Sequence, residues 1–196
     1  MKMIDYYDEN SKDFIRDTVG VDMYAIVCRF LHHLPEAGHV LDAGCGSGRD
    51  AKTFSSMGYH VTAFDSSISM VQHAMSYTGL PVIRLAFQEI TWENRFDGVW
   101  CCASLLHIPI DEFPEILSRL HRAMRANAVC YMSFKYGVGE RQTGGRYFVD
   151  HTEKTLSRVL EHSRALNLID LWTSSDARPD RSSGIWLNAI AKNVHT

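Results

Sequence analysis

Apolar and polar positions alternate along this chain with two periods, and the change from one to the other marks out the elements. Within residues 22–34, Met23, Ile26, Val27, Phe30, Leu31 and Leu34 recur at i, i+3, i+4, i+7, i+8 and i+11, an apolar stripe of helical period that Pro35–Gly38 ends. The preceding stretch from Tyr6 to Asp17 also reads as helical but is more polar, which suits a lid. From residue 39 short apolar runs and amphipathic stretches take turns. Strands are predicted over residues 39–42, 60–65, 81–87, 96–103, 128–134, 168–173 and 186–192. Helices are predicted over 49–57 (closed by Gly58), 66–75 (behind a serine cap), 111–124 and 152–166 (with Thr152 as N-cap). The run 136–145 reads as a glycine-rich loop.

Strand–helix alternation at this spacing predicts an α/β fold, a doubly wound and mainly parallel sheet with right-handed crossovers. The last two strands are joined by a loop, residues 174–184, without a helix, so they should pair antiparallel. With 196 residues, no repeat and no linker-like tract, the expectation is one domain over 1–196, with residues 1–34 as its helical lid.

Composition narrows the partners. With 20 basic and 23 acidic side chains the formal charge is −3, so no general attraction to phosphate backbones or anionic lipid is expected. No apolar run approaches the roughly 20 residues that span a bilayer. Residues 1–10 lack the apolar segment of a signal peptide, and a cytoplasmic protein is expected. Cys28, Cys45, Cys101, Cys102 and Cys130 are odd in number and form no C-x-x-C, so they read as reduced thiols. His32 and His33 are adjacent and diverge on a helix, so no metal site is expected.

The chemistry concentrates at Val40-Leu41-Asp42-Ala43-Gly44-Cys45-Gly46-Ser47-Gly48, where a strand runs through three alternate glycines into a helix. Glycine tolerates positive φ and admits close approach of a ligand, and the helix start offers unpaired N–H groups. Dinucleotide sites share such a turn, but here Arg49 stands where their fingerprint has its last glycine. Asp42, two residues before Gly44, would repel a pyrophosphate and attract an ammonium or sulfonium. Asp65 ends the second strand, 21 residues beyond Gly44, where such folds place a ribose-binding carboxylate. Phe87 and Gln88, just past the third strand, are suited to an adenine edge, and the fourth strand ends near the switch point at Cys102 and Ala103.

Taken together, Leu41–Gly48, Phe64-Asp65 and Phe96-Asp97-Gly98 resemble the class I S-adenosylmethionine-dependent methyltransferases. Ala103-Ser104-Leu105-Leu106-His107, Ser133–Gly137 and Gly145–Phe148 are similar to a bacterial subgroup, the tellurite-resistance-type methyltransferases, with a looser likeness over nearly the whole chain. The resemblance implies a seven-stranded sheet of order 3-2-1-4-5-7-6, its last strand antiparallel, and S-adenosylmethionine as cofactor. It puts Asp42, Gly44 and Gly46 at the methionine end, Asp65 at the ribose, and Phe87 with Gln88 at the adenine. The carbonyl of Cys102 or Ala103 would meet the methionine amino group. Glu89 departs from the Asp that many relatives carry there.

Methyl transfer from a sulfonium needs orientation and exclusion of water more than a triad. His107 reads equally as base or acceptor contact and as a packing residue. Arg146, Tyr147 and Arg178 are candidates for the acceptor pocket or ordinary loop residues, with Tyr147 a second catalytic candidate. Arg181 is a further loop candidate, and Tyr6 and Tyr7 read as lid residues over the cofactor or as surface tyrosines. A small molecule or metalloid is the expected acceptor. The rivals are an RNA (tRNA) methyltransferase, an inactive cofactor-binding partner subunit and a nicotinamide oxidoreductase.

Overall fold

The computed structural model describes residues 3–163, 165–178 and 184–193. Two short helices open the chain, α1 (Met3–Glu9) and α2 (Ser11–Thr18), followed by α3 (Tyr24–Leu31). Then come β1 (His39–Ala43), α4 (Arg49–Ser56), β2 (His60–Asp65), α5 (Ile68–Thr78) and β3 (Val82–Arg84). The second half holds β4 (Phe96–Cys101), α6 (Phe113–Ala123), β5 (Met124–Lys135), β6 (Gly139–Thr143) and β7 (Arg146–Asp150). It ends with α7 (Glu153–Ser163), β8 (Asn167–Ser175) and β9 (Ile185–Lys192).

Seven strands form one sheet in the order β3-β2-β1-β4-β5-β9-β8. The first five are parallel neighbours, and β9 runs antiparallel to both β5 and β8. With the β6–β7 pair set aside, this is the order 3-2-1-4-5-7-6 of the sequence reading. Successive strand residues face opposite sides, which splits the core in two. Leu41, Val99, Cys130 and Leu187 pack with Ile116, Leu117 and Leu120 of α6 and Leu156 and Leu160 of α7. Val40, Trp100, Val129 and Ile190 pack with Val27, Phe30 and Leu31 of α3 and Phe54 of α4. Both faces are covered, as the continuous apolar strands require.

Three readings need correction. The third strand stops at Arg84, and residues 87–89 are a 3₁₀ turn in which the Glu89 side chain accepts from the Ala86 N–H at 2.8 Å. The helix expected from residue 66 starts at Ile68, and its cap is Ser67, whose hydroxyl accepts from Met70 N. The expected glycine-rich loop 136–145 is largely a β-hairpin, with β6 and β7 paired from Gly139↔Asp150 to Thr143↔Arg146. Its Gly144-Gly145 turn has φ of 56° and 74°, the two positive angles of a type I′ hairpin turn. That turn signal was present in the sequence, but β6 is polar and mostly exposed, so no apolar alternation announced it. The hairpin leaves the end of β5, where Gly137 N donates to His151 O and His151 N to Lys135 O, and folds back toward β4.

The third glycine of the turn serves packing. Gly48, at φ 79°, precedes α4, and a Cβ there would lie 2.9 Å from Thr78 Cγ2 and 3.1 Å from the Ala74 backbone of α5. Gly48→Ala should therefore cost about 2–4 kcal/mol from strain and overpacking together. Gly58→Ala, at φ 87° with nothing within 4 Å, should cost only the backbone strain, about 1–2 kcal/mol. Urea unfolding of both variants checks the difference, and equal midpoints would show that the α4–α5 contact has slack.

Candidate functional site

A cleft of ≈ 1430 Å³ opens along the carboxyl ends of β1, β2, β4 and β5, roofed by α1, α2 and the hairpin. Of the candidate residues read from the sequence, Asp42, Gly44, Gly46, Asp65, Phe87, Gln88, Cys102, Ala103, His107, Tyr7, Arg146, Tyr147 and Arg178 all line it. Tyr6 does not. Its ring lies edge-on to Tyr7, with the Arg146 guanidinium 5.0 Å above it.

The floor is made by the glycine turn and three carboxyl groups. Asp42 is 2% exposed, and its Oδ2 has no hydrogen-bond partner among the described residues, an orphaned acceptor at the cleft wall. Burial, and then the neighbouring charge of Asp50, push its carboxyl well above the ordinary range. Asp65 holds the turn in place: Oδ2 accepts from Gly46 N and Oδ1 from Ser67 N, both at 2.9 Å. Burial raises its carboxyl too. Each oxygen keeps a second lone pair, so both can accept from a further partner. Asp50 pairs with Arg49 through two 2.7 Å bonds and accepts from the Trp100 indole at 2.8 Å. Burial works against the Arg49 charge, but the Asp50 carboxylate outweighs it.

The glycines divide their tasks. At Gly44 (φ 73°) a Cβ would meet the Ser104 Cβ at 2.6 Å, so that glycine admits the loop after β4. At Gly46 (φ 52°) it would meet the Phe14 ring of α2 at 3.2 Å, so that glycine faces the roof across the cleft. Ser104, which the sequence reading includes in a motif but does not single out as a site residue, also lines the cleft with a buried hydroxyl that has no partner among the described residues. Only its neighbours' motif could have drawn attention to it. Ala103 takes φ 53°, a strained angle for a residue with a Cβ, and its N–H donates to Ser133 Oγ at 2.8 Å. Cys102 approaches Arg49 Nη2 through its sulfur at 3.6 Å. Phe87 is a core side chain packed edge-on to Phe64, and the Gln88 amide donates to Glu112 at 2.6 Å.

The roof is tied down at two points. Asp8 accepts from the Ser67 hydroxyl and from Ser69 N. Tyr7 meets His107 Nε2 at 2.7 Å. His107 Nδ1 lies 2.7 Å from the Tyr147 carbonyl, which only accepts, so Nδ1 carries the proton and Nε2 receives the Tyr7 hydroxyl. Tyr147 therefore acts on His107 through its carbonyl. Its own hydroxyl donates to Glu140 across the hairpin, and the residue lines the cleft. Burial lowers His107 to about 4 and raises Tyr7 to about 12, so both are neutral near pH 7. Arg178, a loop charge in sequence, donates twice to Asp176, which also accepts from Lys135 and the Trp186 indole. Arg181 lies outside the described residues.

His107 and the buried His151 are both lowered to about 4, chiefly by burial. A histidine depressed in the folded state costs nothing above its unfolded pKa of about 6.5 and destabilises as pH falls below it, because the unfolded chain takes up the proton. Between pH 7 and pH 5 each should remove about 1–2 kcal/mol of stability. Urea unfolding of His107→Gln at both pH values should show a loss smaller by that amount. Equal losses in parent and variant would mean that His107 titrates normally.

Comparison with known proteins agrees with this geometry. Residues 40–127 match the family model of the methyltransferase domain. YqeM of Bacillus subtilis (strain 168), named as a methyltransferase, is 35% identical over 81 residues, 38% of this chain and 33% of that protein, so the chain spans about a third of that relative. The 1,6-didemethyltoxoflavin-N1-methyltransferase of Burkholderia thailandensis, solved with its acceptor and S-adenosylhomocysteine, is similar at TM-score 0.74 and 23% identity over 100% of this chain and 92% of that one. A TehB-like S-adenosylmethionine-dependent methyltransferase of Corynebacterium glutamicum is similar at TM-score 0.67 and 19% identity over 97% of each chain. Residues 40–127 are thus similar to the methyltransferase domain, and the fold of the chain is the one seen in S-adenosylmethionine-dependent methyltransferases.

Proposed function

We propose that this protein transfers a methyl group from S-adenosylmethionine to a small molecule bound in the same cleft. The observation that carries the reading is Asp42 Oδ2: a buried carboxylate oxygen without a donor, at the cleft wall beside the glycine turn, suits the ammonium of the cofactor's amino-acid end. Burial and Asp50 disfavour the charge of that carboxyl, and an arriving ammonium would restore it whereas a pyrophosphate would not. Asp65, already oriented by Gly46 N and Ser67 N, has lone pairs left for the two ribose hydroxyls. Because Phe87 is packed against Phe64 and Gln88 is engaged by Glu112, they serve an adenine as a wall and a rim. The carbonyls of Cys102 and Ala103 complete the methionine end, and Ser104 Oγ is a further free group there.

When bound, the cofactor supplies the activated methyl group. The chain orients and dries the site: Phe14 covers Gly46, Tyr7 closes on His107, and α1 and α2 act as the lid, a narrower lid than the one expected over residues 1–34 because α3 packs in the core against the sheet. His107, neutral and bonded at both nitrogens, positions Tyr7 and the hairpin rather than drawing a proton from the acceptor. A small-molecule acceptor fits the cleft and the −3 charge of the chain, and the Burkholderia relative named above acts on one.

Calorimetry tests the reading. S-adenosylhomocysteine should bind and NAD should not. Asp65→Ala should weaken S-adenosylhomocysteine by about 1.5–3 kcal/mol, roughly 10- to 150-fold, from two lost hydrogen bonds to a charged group. Gly46→Val, which sets a branched side chain against Phe14 at a positive φ, should abolish binding with the fold retained. Unchanged affinity in both variants, or binding of NAD alone, would refute the assignment.

A further inference from the structure

Among the cations at the cleft wall, all but one face a carboxylate. Arg49 is held by Asp50, and Arg178 and Lys135 both reach Asp176. Arg146, on the hairpin strand β7, makes no ion pair among the described residues, and its Nε is buried without a hydrogen-bond partner. Its guanidinium lies 5.0 Å from the Tyr6 ring and 5.1 Å from the Phe148 ring, close enough for cation–π attraction to offset part of its desolvation. The Tyr7 oxygen accepts from the guanidinium, but Nε–H is left unsatisfied, a costly arrangement at a cleft wall unless a further acceptor arrives.

The surroundings specify that acceptor. Tyr7 gives its hydroxyl proton to His107 Nε2, and His107 gives its Nδ1 proton to the Tyr147 carbonyl. Neither is charged near neutrality, so neither gives Arg146 a counter-anion, and no carboxylate among the described residues pairs with it. We infer that Arg146 receives an anionic oxygen group of the methyl acceptor, which makes that acceptor a small organic acid. The inference rests on the methyltransferase reading above. The ≈ 1430 Å³ cleft exceeds the roughly 300–1000 Å³ that holds a single drug-sized ligand, which leaves room for an organic molecule beside a cofactor. The aromatic walls at Tyr147, Phe148 and Trp186 suit its apolar part.

The cofactor's own carboxylate is the competing occupant. Its amino-acid end belongs with Asp42, where Arg49 already stands among Asp50 and Cys102 Sγ. Arg146 sits apart from that group, over Tyr6 and Phe148 on the hairpin side of Tyr7.

Matched probes test the assignment. With S-adenosylhomocysteine saturating, benzoate and its neutral counterpart benzamide are titrated calorimetrically into the parent protein, Arg146→Gln and Arg146→Lys. The parent should bind benzoate about 10- to 100-fold more tightly than benzamide, the range of a charge-assisted hydrogen-bonded pair. Arg146→Gln should lose the preference and Arg146→Lys should keep part of it. Absent binding of benzoate, equal affinities in the parent, or a preference that survives in Arg146→Gln overturns the proposal, and inorganic phosphate binding in place of benzoate overturns its organic half. S-adenosylhomocysteine and 5′-methylthioadenosine, which lacks the amino-acid carboxylate, are titrated into Arg146→Gln in parallel. Both should stay within about threefold of the parent. A selective loss of S-adenosylhomocysteine assigns Arg146 to the cofactor and overturns the proposal, whereas failure of S-adenosylhomocysteine to bind the parent overturns the methyltransferase reading itself.

Discussion

The Asp50 carboxylate is the fixed point of the cleft. It is 5% exposed, and a charge that deep is tolerated only when paired and hydrogen-bonded. Arg49 grips both of its oxygens, and the Trp100 indole donates from the neighbouring strand. Trp100 is itself locked, stacked on Tyr131 at 4.0 Å and edge-packed by Phe54. Through this bond the first turn of α4 is anchored to β4, and the glycine turn between β1 and α4 has little freedom left. Removing one member would strand a buried charge, so the network is stable as a unit and vulnerable at each part.

Around that anchor the site separates its tasks spatially. Carboxyl groups gather on the floor, at Asp42 and Asp65, where burial raises both. The far wall carries the saturated cluster of Asp176 with Lys135, Arg178 and Trp186. Where it lines the cleft, the roof is neutral except for Arg146. This arrangement suits a reaction in which the methyl donor arrives activated: the protein needs opposite fields at two ends of a dry cleft and no proton acceptor poised near pH 7.

Beside the direct contact of Arg146 with the Tyr6 ring, one side chain ties the lid and the hairpin to the end of β4. His107 receives Tyr7 from the N-terminal helices on one nitrogen and offers its proton to β7 on the other. Two segments about 100 residues and 40 residues distant in sequence are thereby registered against the end of β4. A neutral imidazole is the group that makes this possible, since it donates and accepts at opposite edges of one ring. Its protonation would cost the bond from Tyr7.

Much of this protein was legible in sequence because the deciding signals are local. Period and turn chemistry placed all seven sheet strands and the helices of the sheet, with β2 matched end to end. The glycine turn, Asp42 and Asp65 were found because a ligand-binding turn needs its residues at close spacing. What remained hidden depends on residues far apart in the chain. The polar strand β6 gave no apolar signal and exists because Arg146–Asp150 lies beside it. Gly44 and Gly48 are explained by Ser104 and by Ala74 and Thr78, contacts that no spacing reveals. Tyr6 and Tyr7 are adjacent and chemically identical, yet only Tyr7 reaches the cleft, because the helix turns neighbouring side chains in different directions. Local periodicity determined which segments fold and where the glycine turn lies. Tertiary packing decided which polar groups are satisfied and which are left open, because a side chain's partners are set by position in space.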